Sequence, residues 1–560
     1  MLRSFKCSGG RSWGRSRVER VVVWGPLALA AAAFAQPALQ RLSTVALTGE
    51  AAPGTTGLTL ASLAEPFINE SGTMVFWGQL AGSGVTPTND GAVFMRERGT
   101  VVMLAREGET IRLPGGGTST ITGLPTAAIA ASGSALLAAG LVDSTTGVNT
   151  NLGLVQASPG GGLVLLVRDL VGPAAFDLPG MPLAAFDGES VFSTGFSIRS
   201  AYQGLLYNTA TPVPGTHNGI PANWRPVAFA PLHMRADGRA VWATTFGLPT
   251  GSAAERALQQ VGVVTDISGG LSLVAATGGA TATTPWDVVF TRISSGPVVA
   301  DDGTVFFVGS FGGSTPGQAV FSRRGGTIGR VIESGTTIGG AVVGRILEPV
   351  VVSTEGDVAC TATIVGAAAG TNIGLFTRSA DGVAALALRR GDIAPGLAGG
   401  ELVDGFGPLV VSARGLCAGL VRLRGAGITG ANNEVLYVQQ RSGGLTPAVR
   451  TGAAFTPPGS TTARTIRRIL FAGDLTGYSP YTRGGTVVFG LEFADYSRGV
   501  FMADIECPAD VNEDGVVDSD DTTAFFVLWE ASDPAADFDG TGAIDSEDVV
   551  AFFKRLDSGC

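Results

Sequence analysis

Short apolar runs alternate with glycine-containing turns along most of the chain. A turn glycine followed by a run of β-type residues occurs eight times, as in the segment that begins at Gly72 and the one at Gly303. The other six glycines are Gly133, Gly188, Gly238, Gly356, Gly415 and Gly485. Runs rich in Val, Phe and Thr between turn residues predict short strands, and helical periodicity is nearly absent from this part of the chain.

Each unit of the repeat contains four such runs. The last run ends in a polar turn with a glycine, as in residues 101–108. Four-stranded units repeated around a ring are typical of a β-propeller. We therefore predict an all-β, propeller-like body of about eight four-stranded repeats over residues 36–506. Two or more β-sandwich domains in series are the alternative, although no Pro/Ser-rich linker divides the body.

The two ends of the body complement each other. The last unit stops one strand short after the run at residues 499–504, and residues 45–50 resemble the missing strand. We predict that residues 42–49 complete the last sheet beside residues 484–504. Such a clasp would shield strand edges that could otherwise pair with other chains.

The first 35 residues have the pattern of a secretory signal peptide. A basic segment precedes the mostly apolar stretch 21–34, and Ala33-Phe34-Ala35 fits a cleavage site near Ala35. A stretch of this length is too short to span a bilayer, although a retained short membrane anchor is the alternative. No other apolar run reaches spanning length, so we expect a secreted or cell-surface protein without a transmembrane span in the mature chain.

Composition and charge exclude several classes of protein. With 45% hydrophobic and 15% charged residues, the chain is not of the disordered type. The formal net charge is −10, and residues 507–560 contain 14 Asp or Glu but only Lys554 and Arg555 as basic residues. A near-neutral body and an acidic tail argue against nucleic-acid binding and indicate that the tail binds a cation.

The body shows no catalytic constellation, so we assign no catalytic residue and no cofactor to it. The chain has two histidines, His217 and His233, and neither has Cys or Glu residues nearby at metal-ligand spacing. Asp301 and Asp302 precede a repeat glycine, where Asp favours turns. Cys360 and Cys417 occupy similar places in neighbouring repeats, so we expect both to be buried and unpaired.

The acidic tail contains two copies of a calcium-loop pattern. Oxygen-bearing residues occupy loop positions 1, 3, 5, 9 and 12, glycine occupies position 6, and position 7 offers its carbonyl. The predicted ligands are Asp510, Asn512, Asp514, Val516, Asp518 and Asp521 in the first loop, and Asp537, Asp539, Thr541, Ala543, Asp545 and Asp548 in the second. An apolar helix is predicted after each loop. The pattern therefore predicts a small domain over residues 507–560 that binds two Ca²⁺ ions.

Two cysteines bracket this predicted domain. Cys507 is its first residue and Cys560 its last. In an oxidising compartment a disulfide between them would tie the two ends of the domain together. Free thiols, or thiols used for anchoring, are the alternative.

The duplicated loop–helix unit resembles a type I dockerin domain, over about 54 residues. Position 12 is Asp where ordinary EF-hands have Glu, and a single helix follows each loop. The resemblance implies calcium-dependent folding and docking onto a cohesin-like or cell-envelope anchoring protein. The family's recognition positions, 10 and 11 of each loop, correspond to Ser519, Asp520, Ser546 and Glu547. Cys507-Pro508 and Gly559-Cys560 resemble the ends of dockerin-like tails on secreted bacterial proteins.

Together these patterns favour an exported, non-enzymatic surface or scaffold-associated protein that is anchored through its tail. Because dockerins usually accompany polysaccharide-degrading enzymes, a dockerin-bearing hydrolase or lyase is one alternative. A carbohydrate-binding propeller is another, with a glycan as a possible ligand. An aromatic content of 7% is low for sugar stacking.

Overall fold

We describe the protein from a computed structural model. Residues 40–558 are described with gaps, the longest of which are 169–182, 209–224, 248–258 and 279–288. The predicted signal peptide and its cleavage site therefore lie outside the described residues. Residues 35–560 belong to one compact unit.

The described strands form eight antiparallel sheets of four or five strands. Apart from the N-terminal β1, the first sheet along the chain contains β2 (Thr59–Leu63), β3 (Phe67–Ile68), β4 (Met74–Ala81), β5 (Gly91–Glu97) and β6 (Thr100–Arg106). The second sheet contains β7 (Thr110–Arg112), β8 (Thr118–Ile129), β9 (Ala135–Asp143), β10 (Asn149–Ser158) and β11 (Gly162–Arg168). The third sheet contains β12 (Leu183–Phe186), β13 (Glu189–Ser193), β14 (Ser197–Ser200) and β15 (Gly204–Asn208), and the fourth contains β16 (Arg225–Met234), β17 (Ala240–Gly247), β18 (Gln259–Thr265) and β19 (Ser272–Ala276).

The other four sheets follow the same plan. The fifth sheet contains β20 (Val289–Ile293), β21 (Val298–Val299), β22 (Val305–Gly312), β23 (Gly317–Arg324) and β24 (Thr327–Glu333). The sixth contains β25 (Thr337–Ile338), β26 (Ala341–Val352), β27 (Val358–Ile364), β28 (Ile373–Arg378) and β29 (Ala384–Arg389), and the seventh contains β30 (Leu402–Val411), β31 (Cys417–Arg424), β32 (Glu434–Gln439) and β33 (Leu445–Arg450). The eighth contains β34 (Ala454–Phe455), β35 (Arg464–Leu470), β36 (Thr486–Phe493), β37 (Arg498–Asp504) and β1 (Gln40–Leu47). The prediction of an all-β body is confirmed.

Neighbouring sheets share apolar cores. Buried side chains of the first and second sheets form one cluster that includes Val93 and Leu137, and the seventh and eighth sheets share another that includes Leu436 and Phe489. The eighth and first sheets meet through Val500 and Phe76. Because the last sheet packs on the first, the sheets follow one another in a propeller-like arrangement, and pairs of sheets do not form separate sandwiches.

The repeat glycines that the structure describes occupy tight hairpin turns. Among the described ones, Gly72, Gly303, Gly356 and Gly485 have φ of 77°, 84°, 96° and 82°. The Gly72 N–H donates to the Asn69 carbonyl at 3.0 Å, and the Gly485 N–H donates to the Thr482 carbonyl at 3.1 Å. A side chain with a Cβ is strained at positive φ, so the hairpin explains why glycine occupies these four positions.

A second turn carries the chain from one sheet to the next. After β6 the Glu109 N–H donates to the Arg106 carbonyl at 3.2 Å, and after β29 the Asp392 N–H donates to the Arg389 carbonyl at 3.0 Å. The acidic side chain of each turn also accepts the N–H of the residue three positions earlier, at 3.2 Å for Glu109 and 2.9 Å for Asp392. Acids of this turn therefore fix the crossover between sheets.

The N-terminal strand closes the body. β1 pairs antiparallel with β37, with Leu47 opposite Gly499 and Thr44 opposite Phe501. The Thr48 N–H donates to the Arg498 carbonyl at 2.9 Å, and the Arg498 N–H donates to Thr48 Oγ1 at 2.7 Å. The sequence prediction that residues 42–49 complete the last sheet is confirmed.

Two helices follow the sheets, α1 (Ser519–Glu530) and α2 (Ser546–Ser558). Both begin at the position that the loop pattern predicts. Among the residues that the structure describes, no helix is long and apolar enough to cross a membrane.

Candidate functional site

The two helices of the tail begin with the same arrangement of hydrogen bonds. Before α1, Asp518 Oδ1 accepts the Asp520 N–H at 2.8 Å, and Asp521 Oδ2 accepts the Asp518 N–H at 2.9 Å. Such reciprocal bonds form a capping box, which satisfies N–H groups that the first turn of a helix leaves without partners. An acidic side chain at this end of a helix also interacts favourably with the helix dipole.

The second helix repeats this arrangement. Asp545 Oδ1 accepts the Glu547 N–H at 2.9 Å, and Asp548 Oδ2 accepts the Asp545 N–H at 2.9 Å. The residues involved are those at positions 9, 11 and 12 of each predicted calcium loop. The sequence predicted the acids at positions 9 and 12 as calcium ligands but did not predict that they also cap the helices.

The position-12 acids are the most buried charged groups of the tail among the residues that the structure describes. Asp521 and Asp548 each have 0% exposure. The other oxygen of Asp521 accepts the Asn512 N–H at 3.0 Å, and the other oxygen of Asp548 accepts the Phe538 N–H at 2.7 Å. Each carboxylate therefore holds its own loop against the start of its helix, through two backbone donors.

A small aromatic core joins the two copies. The rings of Phe525 and Phe552 are parallel, with centroids 4.3 Å apart, and the ring of Phe538 meets both edge-on at 5.2 and 5.3 Å. Phe525 and Phe552 are fully buried. They occupy equivalent positions in the two helices, so the duplicated sequence produces a near-symmetric pair.

One contact between the copies was missed by the sequence prediction. The indole Nε1–H of Trp529, in α1, donates to the carbonyl of Asp545 at 3.0 Å, just before α2. Trp529 follows Phe525 by one helical turn, so the sequence pattern alone predicts only apolar packing for it. Its polar edge instead connects the first helix to the second loop.

The structure describes about half of the predicted ligands. Of the first loop it describes Asp510, Asn512, Asp518 and Asp521, and of the second Ala543, Asp545 and Asp548. Asp514, Val516, Asp537, Asp539 and Thr541 lie outside the described residues, as do Cys507 and Cys560 with their predicted disulfide. The four recognition residues Ser519, Asp520, Ser546 and Glu547 are described, and all four are exposed.

The described residues suit a hard divalent cation. Ionised carboxylates are rarely buried completely, and those that are buried usually belong to an ion pair or bind a metal ion. Asp521 and Asp548 are buried in this way beside loops that are rich in oxygen donors, which are the ligands that Ca²⁺ prefers. No group of three His, Cys, Asp or Glu residues in metal-binding geometry occurs among the described residues.

Burial shifts the pKa of three potentially reactive side chains of the body. Burial lowers the pKa of His233 to about 4 and raises the pKa of both Cys360 and Cys417 to about 12. For Cys417 the charge of Asp357 adds to the effect. The two cysteines are buried and unpaired, as predicted, and thiols with such a raised pKa are poor nucleophiles.

Comparison with solved structures gives matches of low similarity. The chain aligns with a puromycin-hydrolyzing peptidase of Mycobacterium tuberculosis (10% identity, 80% of this chain and 62% of that chain, TM-score 0.29). It also aligns with the β-propeller domain of the Trilobed protease from Pyrococcus furiosus (10%, 70% and 98%, TM-score 0.30) and with the polysaccharide lyase Uly1 (9%, 84% and 100%, TM-score 0.33). TM-scores this low carry no argument about activity. The chain spans less than two thirds of the length of the peptidase.

Comparison with known sequences identifies the family. No curated protein matches the chain. A family profile matches residues 28–172 and 196–508, which cover the predicted propeller-like body from before its first strand to its end. The chain therefore belongs to DUF7453, a family of unknown function.

Proposed function

We propose that this chain is an exported, non-enzymatic protein in which an eight-bladed β-propeller body is anchored through a dockerin-like tail. The tail binds two Ca²⁺ ions and docks onto a cohesin-like or cell-envelope anchoring protein. One observation carries the proposal. Asp521 and Asp548, at the same position of two repeats, are fully buried carboxylates, and each accepts two backbone N–H groups of its own loop.

A calcium ion in each loop would place positive charge next to the buried carboxylate. Asp510, Asn512, Asp514, Asp518 and Asp521 would hold the first ion with the Val516 carbonyl. Asp537, Asp539, Thr541, Asp545 and Asp548 would hold the second with the Ala543 carbonyl. A bound ion offsets the repulsion within each acidic loop, so binding and folding of the tail are coupled.

The surface next to each site is suited to docking. Residues at positions 10 and 11 begin each helix and are exposed, so a partner can contact them without disturbing the loop. Val527 and Val550 are 63% and 67% exposed on the helices that follow. When calcium binds, it would fix the positions of the two helices, so that these groups form one defined docking surface on the tail. Docking would therefore depend on calcium.

The proposal is tested by docking experiments on the mature chain, residues 36–560. Immobilised protein is challenged with purified cohesin modules and with envelope proteins of the source organism, in calcium and in EGTA. We expect one partner to bind in calcium and to be released by EGTA. Asp521→Asn with Asp548→Asn should abolish capture, because these changes remove a buried charge from each site.

A second pair of variants separates docking from metal binding. Asp520→Lys with Glu547→Lys reverses the charge of two exposed residues next to the buried acids. We expect this protein to keep its calcium but to bind the partner at least about tenfold more weakly, as expected for charge reversal at an interface. Capture that persists in EGTA, or the absence of any calcium-dependent partner, would refute the proposed anchoring.

A further inference from the structure

A cavity lies where the first sheet meets the second. Its volume is about 560 Å³, which is within the range of small-molecule sites. Phe67 in β3, Trp77 in β4 and Val93 in β5 form one wall, and Leu124 in β8 contributes to the other. The cavity belongs to the propeller-like body and shares no residue with the calcium loops.

Two carboxylates complete the cavity wall. Glu65 lies between β2 and β3, and Glu107 follows β6. Glu107 Oε2 accepts the Gly91 N–H at 3.0 Å. Burial raises the pKa of Glu107, and the charge of Asp90 acts in the same direction, whereas the Gly91 hydrogen bond acts against it. A positive charge in the cavity would therefore stabilise the ionised form of Glu107.

The lining excludes most other ligand classes. Among the described residues that line the cavity there is no Lys, Arg or His, so an anion would meet only negative charge. The polar side-chain groups of these described residues are the two carboxylates, which accept hydrogen bonds, and the indole N–H of Trp77. A sugar presents many hydroxyl groups that need both donors and acceptors, whereas the aromatic rings and carboxylates match a cation that has an apolar body.

We infer that this cavity binds a small organic ammonium compound, with the charged group at Glu65 and Glu107 and the apolar part against Phe67 and Trp77. Glu65 and Glu107 supply charge complementarity, and the rings supply cation–π attraction and apolar contact. The inference gives the body a ligand of its own, so it stands whether or not the tail docks onto a partner.

Benzyltrimethylammonium is a suitable probe, measured by calorimetric titration into the mature chain. We expect it to bind at least about tenfold more tightly than neutral benzyl alcohol, because the charge interacts with both the carboxylates and the rings. Methyl β-glucoside should not compete. Equal affinity for the charged and neutral probes, no binding of the ammonium probe, or displacement by the glucoside would overturn the inference.

Glutamine variants and a cavity-filling variant locate the binding site. Glu65→Gln and Glu107→Gln should each weaken binding of the probe by about threefold to tenfold, since one charge is lost and the shape is kept. A Cβ at Gly123, which lines the cavity in β8, meets no atom within 4 Å, so Gly123→Leu has room and would occupy the cavity.

Gly405 provides the matched control for the cavity-filling variant. Gly123 and Gly405 each follow a register shift in the corresponding strands β8 and β30, and a Cβ at Gly405 also meets no atom within 4 Å. Gly123→Leu should abolish binding of the probe, and Gly405→Leu should leave it unchanged. Binding that survives Gly123→Leu and both glutamine variants would place the probe elsewhere and contradict the inference.

Discussion

At the scale of single residues, backbone conformation explains the repeat that runs through the body. Gly72 and its described counterparts have positive φ at the turn before a long strand. Such a conformation is open to glycine at little cost and costs other residues about 1 kcal/mol or more. The sequence repeat is therefore a direct record of a backbone requirement, which is why it could be identified without any structure.

Replacing one of these glycines tests that explanation. A Cβ at Gly72 meets no atom within 4 Å, so Gly72→Ala introduces backbone strain without a clash. We expect it to lower the free energy of unfolding by about 1 kcal/mol, measured by urea denaturation. Gly296→Ala is the control, since that glycine also has open space and its φ is not positive. Equal effects of the two changes would contradict the explanation.

His233 predicts a pH dependence at the junction of the fourth and fifth sheets. Its Nδ1 accepts the Val299 N–H at 3.4 Å, and burial lowers its pKa to about 4. In the unfolded chain this histidine has the ordinary pKa near 6.5, so it binds a proton at a higher pH than in the folded protein. The contribution of neutral His233 to the free energy of unfolding is therefore complete above pH 6.5. It is lost as the pH falls from 6.5 toward 4.

Between pH 6.5 and 5 we expect the free energy of unfolding to fall by about 1–2 kcal/mol. His233→Gln keeps a hydrogen-bond acceptor but does not titrate, so its stability should change much less in this range. Urea denaturation at several pH values measures the difference. A NMR titration in which the His233 ring protonates near pH 6.5 would contradict the prediction.

At the scale of elements, the tail helices illustrate what a sequence pattern can and cannot predict. The starts of α1 and α2 were predictable because the acids that cap a helix are the same residues that complete the loop pattern. The contact of Trp529 with Asp545 was not, because an indole on an apolar stripe has a polar edge whose partner depends on how two helices cross.

The aromatic pair should control the stability of the tail. Phe525→Ala removes one of two stacked rings and leaves a cavity against Phe552 and Phe538, which costs about 3–4 kcal/mol. Val527 lies on the same helix but is exposed, so Val527→Ala should change stability by less than about 0.5 kcal/mol. Hydrogen exchange of the α1 and α2 amides is the measurement. Full protection in Phe525→Ala would be inconsistent with this packing.

At the scale of the whole molecule, closure of the body depends on its N-terminal strand. β1 pairs with β37, and Ala46 and Leu47 are buried there. Arg498 adds a link between the last and first sheets, because its Nη2 contacts Glu492 Oε2 at 2.7 Å while its Nη1 donates to the Leu63 carbonyl at 3.1 Å. Losing β1 would remove this packing and leave the β37 edge open.

Truncation tests the contribution of the clasp. A chain that lacks residues 36–47 should lose roughly 3–5 kcal/mol of stability, from the apolar burial and ladder hydrogen bonds of β1, and should aggregate through the open edge. A chain that lacks only residues 36–39 keeps β1 and is the control. Thermal melting with light scattering compares the two, and equal behaviour would show that β1 is dispensable.

The clasp and the cavity mark the limits of prediction for the molecule as a whole. The clasp was predictable because residues 45–50 repeat a strand type that the last unit lacks. The cavity was not, because it depends on which side chains of two sheets meet, and Glu65 and Trp77 have no periodic signature in the sequence. Turns and strand types repeat along the chain and can be identified in the sequence. The side-chain contacts between neighbouring sheets differ from one junction to the next.

Calcium stoichiometry of a chain of residues 36–560 tests the central claim most directly. Calorimetric titration of the unchanged chain should give two bound ions. The protein with Asp521→Asn and Asp548→Asn should bind none. The control with Asp520→Asn and Glu547→Gln, which changes exposed neighbours of the two buried acids, should bind two. Binding should also raise the melting temperature of the tail, because the ions bind only the folded loops. No bound calcium, or two ions in the protein that lacks both buried acids, would contradict the account.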